Sequence, residues 1–233
     1  MRLVEFVGAP GAGKSSIARQ IHRMTPAWDA RVLRNQVLSQ RSFLERLFWL
    51  KSKALSGFIK PIVYGRLVSR LDRVEPYYTD GFLGKYVDSI YAHSSHVRQA
   101  RIRHAMLLES LLIHVAGRAH ASPITAILDE GMAQRGLSGV LTGLPAELVD
   151  EHYSAIPMAD LYVFVTVPQS TLRERLLLRE GSDAKLVSVD AVHQARRALL
   201  ARSARVLEVD GTAKVEENAR FIVARYSASH RLD

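Results

Sequence analysis

The stretch that decides the fold is "FVGAPGAGKSS", residues 6–16, which follows the apolar start of the chain. It contains the pattern G-x-x-x-x-G-K-S, formed by Gly8, Gly13, Lys14 and Ser15. Glycines give a loop the backbone freedom to turn several N–H groups inward and form a nest for an anion. The residues that follow have apolar side chains at helical spacing, and a helix N-terminus adds partial positive charge. A strand, this loop and a helix in that order predict a Walker A phosphate-binding loop.

The predicted ligands of this loop are ATP and Mg²⁺. Lys14 is expected to reach the β and γ phosphates, and the Ser15 hydroxyl is expected to bind Mg²⁺. The residues predicted to hold the nucleotide phosphates are Gly8, Ala9, Pro10, Gly11, Ala12, Gly13, Lys14, Ser15 and Ser16. The simpler alternative is a glycine-rich turn that carries a lysine and binds nothing.

The composition is that of an ordinary globular protein, with 233 residues of which 48% are hydrophobic and 24% are charged. This length suits one large α/β domain, and we predict a single domain over residues 1–233. The chain has no cysteine, which excludes disulfides and thiolate metal sites and is natural in a reducing compartment. The sequence shows neither a leader peptide nor a long apolar run, so we predict a cytoplasmic protein.

The excess of positive charge is confined to the middle of the chain. Residues 31–120 hold 15 Lys and Arg against 6 Asp and Glu, whereas the rest of the chain holds 17 of each. Such a segment can meet an anionic partner, such as substrate phosphates, or it can be a solvated helical face, and both alternatives stay open. Nucleic-acid binding is not expected, because the aromatic residues of the segment follow the spacing of a buried core. Peripheral contact with a membrane surface is not expected either.

Apolar stretches typical of strands alternate with helical patterns outside this middle segment. Strands are expected at about 2–7, 30–35, 122–131, 159–167 and 204–211. The alternation predicts a mostly parallel five-stranded sheet with helices on both faces, the three-layer α/β sandwich of P-loop NTPases. The mostly helical residues at about 36–120 are interpreted as an insertion that packs over the site. The site itself is expected at the carboxyl ends of the strands, where open α/β sheets bind ligands.

Two carboxylates follow a short apolar strand in "AILDEG", residues 126–131. In a protein with a phosphate-binding loop, a carboxylate at this place can hold Mg²⁺, directly or through water. The next carboxylate can take a proton from an attacking hydroxyl or orient a water. We assign Asp129 to the metal and Glu130 to the base, although the sequence allows the two roles to be exchanged. The alternative is a pair of surface carboxylates in a turn.

Arginines recur in "TLRERLLLRE", residues 171–180, which has a helical pattern. Arg175 and Arg179 are four residues apart and share one face of that helix. Guanidinium groups can clamp a phosphate during its transfer, and the alternative is pairing with neighbouring glutamates on a solvated helix. A lid is predicted over about 173–187. The predicted catalytic residues are Lys14, Asp129, Glu130, Arg175 and Arg179.

The N-terminal Walker A loop, "LDEG", "VFVTVPQSTLRERLLLREG" and the late "VLEVDG" together resemble the nucleoside and nucleoside-monophosphate kinase superfamily, with thymidylate and deoxynucleoside kinases as the nearest pattern. The resemblance implies transfer of the γ-phosphoryl group of ATP to a small-molecule acceptor. It also implies that Pro168 leads into the arginine helix and that the loop of Asp210 and Gly211 lies near the adenine. The chain departs from the family at residues 129–131, where thymidylate kinases carry Asp-Arg and deoxynucleoside kinases carry Glu-Arg-Ser.

The acceptor is left open between a nucleoside, a nucleotide, a sugar and an antibiotic-like hydroxyl compound. The main alternative function is an ATP-hydrolysing module that acts with a protein or nucleic-acid partner, because an apolar strand followed by Asp-Glu is also typical of ATPases. The sequence has no "LSGGQ" stretch before that pair, as transporter ATPases have, and no "NKxD" stretch, as GTPases have. A homodimer is compatible with the sequence.

Overall fold

The computed structural model describes residues 2–29, 125–141, 144–156, 158–181, 188–202 and 205–228. Its elements, numbered in chain order, are β1 (Arg2–Gly8), α1 (Lys14–Met24), β2 (Trp28–Asp29), β3 (Thr125–Leu128), α2 (Met132–Leu141), α3 (Ala146–Ala155), β4 (Leu161–Thr166), α4 (Gln169–Glu180), α5 (Val189–Arg202), β5 (Val206–Asp210) and α6 (Val215–Ala228). The predicted insertion at about 36–120 and residues 182–187 of the predicted lid lie outside the described residues. The extent of the domain therefore stays a prediction.

The five strands form one parallel sheet in the order β2–β3–β1–β4–β5. The central strand is β1, so that Glu5 stands opposite Leu128 of β3 and Tyr162 of β4. Four strands are four to seven residues long, whereas the edge strand β2 has two residues. Inner strands such as β4, "LYVFVT", are apolar almost throughout because helices cover both of their faces. The predicted five-stranded parallel sheet is confirmed.

Helices cover both faces of this sheet, because successive side chains of a strand point in opposite directions. Val4 and Phe6 of β1 belong to a core that includes residues of α1, α4 and α6. Leu3 and Val7 belong to a second core with residues of α2, α3 and α5. The predicted three-layer α/β sandwich is therefore confirmed.

The strands and helices lie close to the places that the sequence pattern predicted. The buried face of α1 consists of Ile17, Ala18 and Ile21, the apolar residues at helical spacing, together with Lys14. The edge strand β2 directly precedes the range 30–35 in which the second strand was predicted, and that range lies outside the described residues. Among the helices of the described residues, none has the length and apolar character needed to cross a bilayer.

The helices α2 and α5 were not predicted from the sequence. In α2, "MAQRGLSGVL", two glycines weaken the helical signal. A Cβ on Gly136 would lie 2.7 Å from Cδ2 of His152 and 2.8 Å from Cζ of Tyr153. The glycine therefore serves the close packing of α2 against α3, which is a tertiary requirement and not a local one.

The same contact fixes the first turn of α2. Nε2 of His152 donates a hydrogen bond to the Met132 carbonyl at 2.8 Å, and the Tyr153 hydroxyl donates to the Ala133 carbonyl at 2.8 Å. Burial lowers the pKa of His152 to about 4, so the ring is neutral near pH 7. The start of α2 is thereby held in place directly after the Asp-Glu-Gly sequence.

Candidate phosphate-binding and catalytic site

The glycine-rich loop between β1 and α1 has the backbone that an anion nest requires. Gly11 has φ +82° and Gly13 has φ +99°, in the left-handed region that glycine adopts without steric cost. No side chain caps α1, and its first turn contains no acidic residue, so the positive end of the helix is not neutralised by the chain itself. Ser15 and Ser16 are exposed in that turn. The geometry is that of a phosphate-binding loop.

Gly8 is required for a different reason from Gly11 and Gly13. It pairs with Val165 of β4, and a Cβ on Gly8 would lie 2.7 Å from the carbonyl oxygen of Val165. Its N–H donates to Oε1 of the buried Gln134 at 3.0 Å. The first residue of the loop is therefore held between the sheet and α2.

Lys14 is the residue around which the predicted catalytic groups gather. Its Nζ donates to the carbonyl oxygens of Gly8 at 2.6 Å and Ala9 at 3.1 Å. Burial lowers the pKa of the Lys14 ammonium to about 8, while the negative charges of Glu130 and Asp129 raise it and the positive charge of Arg179 lowers it further. The ammonium of Lys14 is thus influenced by the charges of two carboxylates and one guanidinium.

Asp129 and Glu130 leave the sheet directly beside the glycine-rich loop. They follow β3, which pairs with β1. Asp129 is half-buried and Glu130 is exposed, so the second carboxylate of the pair is accessible to another molecule. Sequence spacing predicted that both would lie at one sheet edge, and the strand order makes β3 and the loop strand immediate neighbours.

Arg175 contacts the loops themselves, an arrangement that the sequence did not indicate. Nη1 donates to the Gly11 carbonyl at 3.2 Å, and Nη2 donates to the Gly211 carbonyl at 3.0 Å. The half-buried guanidinium thus bridges the glycine-rich loop and the turn after β5. Arg179, one turn later on α4, is exposed and is the arginine whose charge acts on Lys14.

The Asp210–Gly211 turn packs against the glycine-rich loop. Oδ1 of Asp210 accepts hydrogen bonds from the Thr212 N–H at 2.8 Å and the Thr212 hydroxyl at 2.7 Å, which hold the pKa of Asp210 below its usual value. The Gly211 N–H donates to the Thr166 carbonyl at 2.8 Å. A Cβ on Gly211 would collide with the Ala12 carbonyl oxygen, so only glycine permits this approach.

A buried carboxylate of β1, Glu5, is a part of the site that the motif analysis missed. Its Oε1 accepts hydrogen bonds from the N–H groups of Ala133 at 2.5 Å and Gln134 at 3.1 Å. A Cβ on Gly131 would lie 2.5 Å from the same carboxyl group. The available signal was a single charged residue inside an otherwise apolar strand, because an isolated buried charge is costly unless it is hydrogen-bonded.

The residues at the loop fit a Mg²⁺ ion that is bound together with nucleotide phosphates. Within the ranges that the structure describes, no three His, Asp or Glu side chains are grouped so that they could hold a metal ion by themselves. Mg²⁺ with a nucleotide takes one or two protein ligands and completes its shell with phosphate oxygens and waters. Ser15 in the first turn of α1 and Asp129 directly after β3 are the predicted ligands, and one hydroxyl with one carboxylate is a set of the kind that such a site uses.

The four predicted motifs meet at one edge of the sheet. The glycine-rich loop follows β1, the carboxylate pair follows β3, the arginine helix begins after Pro168 at the end of β4, and the Asp-Gly turn ends β5. Strand order, layers and loop geometry together define a P-loop NTPase fold.

No protein-family model matches the sequence, and no curated protein matches it. Among solved structures, deoxyadenosine kinase from M. mycoides with the products dCMP and dCDP bound aligns at 12% identity and a TM-score of 0.49, over 97% of this chain and 99% of that chain. The same enzyme with bound dATP aligns at 12% identity and a TM-score of 0.48, over the same shares of both chains. The protein TT1252 from Thermus thermophilus aligns at 15% identity and a TM-score of 0.41, over 97% of each chain. The assignment of the fold rests on the strand order and the loop.

The lowered pKa of Lys14 predicts that nucleotide binding takes up a proton in alkaline solution. Phosphates favour the charged lysine, so binding should raise this pKa above its value of about 8. At about pH 9 most unliganded molecules carry a neutral Lys14, and ATP affinity should fall as the pH rises through this range. Calorimetric titration in two buffers of different ionisation enthalpy measures the uptake. The Lys14→Ala variant should show none, and equal enthalpies for the wild type would contradict the prediction.

The two arginines of α4 are expected to affect different kinetic constants. Arg175→Gln removes the bridge between the two loops. If this weakens ATP binding by about 1–2 kcal/mol, the KM for ATP rises about 5–30-fold. Arg179→Gln should instead lower kcat, because its charge lies near the lysine of the loop. Steady-state kinetics with Arg220→Gln, an exposed arginine of α6, as control separates the effects. Identical kinetic changes in both α4 variants would refute this division of roles.

Proposed function

We propose that the chain is an ATP-dependent phosphotransferase that moves the γ-phosphoryl group of ATP to a hydroxyl of a small-molecule acceptor. The observation that carries this proposal is the position of the buried Lys14 at the end of the glycine-rich loop, next to the end of β3 that is followed by Asp129 and Glu130. Phosphoryl transfer needs little covalent chemistry from the protein and depends on positioning and charge stabilisation. A buried cation with carboxylates and a guanidinium beside it supplies both.

The donor half of the site binds ATP through residues of the three loops. The N–H groups of the glycine-rich loop and of the first turn of α1 face the phosphates, and Lys14 reaches the β and γ phosphates. Ser15 and Asp129 hold Mg²⁺, which offsets the negative charge of the phosphates when it is bound. The Asp210–Gly211 turn lies at the adenine end, and Arg175 keeps that turn against the loop.

The transfer itself uses the accessible carboxylate. The acceptor oxygen forms a bond to the γ phosphorus, the bond from that phosphorus to the β–γ bridging oxygen breaks, and ADP leaves with that oxygen. The acceptor proton passes to the carboxylate of Glu130, the exposed member of the pair. Arg179 and Lys14 stabilise the charge on the transferred group.

The acceptor is proposed to be a nucleoside, a nucleotide or a compound with a sugar-like hydroxyl. The motif order of the sequence favours the first two, and the basic residues 31–120 favour an acceptor that carries phosphate. We also propose a cytoplasmic location, where ATP and such acceptors are available. The second candidate is an ATPase, because an exposed glutamate directly after Asp129 can orient water as well as a hydroxyl.

The test is ADP release from ATP-Mg²⁺ with and without pooled nucleosides, nucleotides, sugars and aminoglycosides. The Lys14→Ala variant serves as the blank for contaminating activity. A rate that rises well above background with one pool supports the phosphotransferase and identifies its acceptor class. Steady ADP release that no pool changes contradicts the proposal and favours the ATPase. The absence of ADP release from the wild type in every mixture contradicts both.

A further inference from the structure

Glu5 occupies a position where a carboxylate is costly. It lies in the middle of the central strand, between Leu128 of β3 and Tyr162 of β4, and its side chain is 1% exposed. Its neighbours on the same face of β1 are the core residues Leu3 and Val7. An ionised group in such surroundings is retained only where hydrogen bonds and oriented dipoles compensate for its lost hydration.

The compensation comes from the N-terminus of α2. Oε1 accepts from the Ala133 and Gln134 N–H groups, both in the first turn of that helix. Hydrogen bonds from backbone N–H groups to a carboxylate are stronger than neutral ones, and the helix dipole adds attraction. A group in the centre of the sheet therefore anchors the beginning of α2.

The anchored turn directly follows the proposed catalytic carboxylates. Gly131 is the residue between Glu130 and α2, and a Cβ there would lie 2.5 Å from the Glu5 carboxyl carbon. The backbone thus runs closely over the Glu5 carboxylate as it leaves β3. The backbone at Gly131 therefore lies between Glu5 and the fixed start of α2, and Asp129 and Glu130 directly precede it.

The same turn is tied to the phosphate-binding loop. Gln134, whose N–H donates to Glu5, accepts the Gly8 N–H through its side chain at 3.0 Å. The Gly8 carbonyl accepts from Nζ of Lys14 at 2.6 Å. A continuous set of hydrogen bonds therefore leads from Glu5 through α2 to the lysine at the proposed reaction centre.

We propose that Glu5 is a positioning residue for phosphoryl transfer, which sets the place of the Asp129–Glu130 carboxylates relative to the phosphate-binding loop from within the sheet. The inference rests on the proposed function for these two carboxylates and names a further residue on which their geometry depends. Glu5 itself stays buried and touches no substrate. Its charge acts by holding the first turn of α2 and, through it, both the carboxylate loop and Gly8.

The test is the Glu5→Gln variant, which keeps the shape and the acceptor oxygen but removes the charge. We expect a folded protein in which kcat falls about 10–100-fold, the order of effect of a misplacement near 1 Å, while the KM for ATP changes little. Asp160→Asn is the matched control. Asp160 also accepts a backbone N–H of β1, that of Leu3 at 2.7 Å, but at the opposite end of the strand from the site. Its kcat should equal that of the wild type.

A second variant guards against failure of Glu5→Gln to fold. Gln134→Met keeps Glu5 and its two hydrogen bonds but removes the acceptor of the Gly8 N–H, and it should also lower kcat with little change in KM. An unchanged kcat in folded Glu5→Gln, or in Gln134→Met where Glu5→Gln does not fold, overturns the proposal. A fall in kcat in Asp160→Asn as large as that in Glu5→Gln also overturns the proposal, because it would reflect general destabilisation.

A binding readout separates this inference from the proposed function. If the wild type releases no ADP under any condition, the phosphotransferase is refuted, and Glu5 is then judged by affinity for a non-hydrolysable ATP analogue. Mg²⁺ should increase that affinity in the wild type and in Asp160→Asn, and the increase should be smaller in Glu5→Gln because Asp129 is displaced. An equal increase in all three proteins overturns the positioning role.

Discussion

Lys14→Ala is expected to abolish phosphoryl transfer and leave a folded protein. An arginine that stabilises the charge of a transferred phosphoryl group contributes on the order of 10³–10⁵ to kcat in phosphoryl-transfer enzymes, and we expect the loss of the Lys14 cation to have an effect of that order. The fold should survive because the substitution removes a buried ammonium together with its dehydration cost. The Gly8 and Ala9 carbonyls lose a donor, which costs about 1 kcal/mol and lowers Tm by about 2–4 °C in a chain of this size.

The measurement pairs ADP release with thermal unfolding, and Lys214→Ala is the control. Lys214 directly precedes α6, its side chain is 80% exposed, and it forms an ion pair with Glu217 at 3.7 Å. It should have wild-type turnover and stability. Full turnover in Lys14→Ala would remove the lysine from the reaction and with it the proposed function. A large loss of stability in that variant would assign Lys14 to the fold instead.

Gly211→Ala is expected to separate the two nucleotide loops. The added methyl group would collide with the Ala12 carbonyl oxygen and lie 2.7 Å from Cγ2 of Val167, and backbone atoms cannot rotate out of the way as side chains can. The turn after β5 must therefore move, which breaks the hydrogen bond from Nη2 of Arg175 to the Gly211 carbonyl. We expect a loss of about 1–3 kcal/mol in the free energy of unfolding. Nucleotide affinity should fall at least as far as in Arg175→Gln.

The control for this steric change is Gly136→Ala. A Cβ there also meets atoms closer than 3 Å, but these belong to His152 and Tyr153 of α3, and none belongs to the glycine-rich loop or to the turn after β5. A similar loss of stability with retained nucleotide affinity is expected. Chemical denaturation and calorimetric titration of both variants provide the comparison. If Gly211→Ala binds ATP as well as Gly136→Ala does, the contact between the loops does not shape the nucleotide site.

The motifs that could be recognised from the sequence are those whose structure depends on neighbouring residues in the chain. The glycine pattern predicted a loop with unusual backbone angles, and φ is positive at Gly11 and Gly13 but not at Gly8, which ends β1. Apolar runs predicted the inner strands. The sequence also indicated Lys14, Asp129 and Arg179 as neighbours, because each follows a strand of a sheet whose carboxyl ends share an edge. Their roles in catalysis stay predictions.

Residue contacts between distant parts of the chain were beyond the reach of these patterns. Arg175 was predicted to act on phosphate, and the structure places it on the carbonyls of Gly11, 164 residues away, and Gly211. Glu5 drew no functional prediction, because its partners at residues 133 and 134 adjoin it only once β3 has paired with β1. The helix α2 was not predicted because its two glycines weaken the helical pattern, and the need for Gly136 becomes visible only when α3 packs against it.

The sequence by itself determined the chemical groups of this protein and the strand end at which each one stands. Short stretches of sequence suffice for this, because they specify both the freedom of the backbone and the alternation of strands and helices. Only the tertiary structure decided which groups support others. Strand order brought the carboxylate loop beside the phosphate-binding loop, buried Glu5 beneath it and turned Arg175 into a bridge between two backbones. Such contacts depend on the register between strands and on space left by particular glycines, and both exist only after the layers have packed.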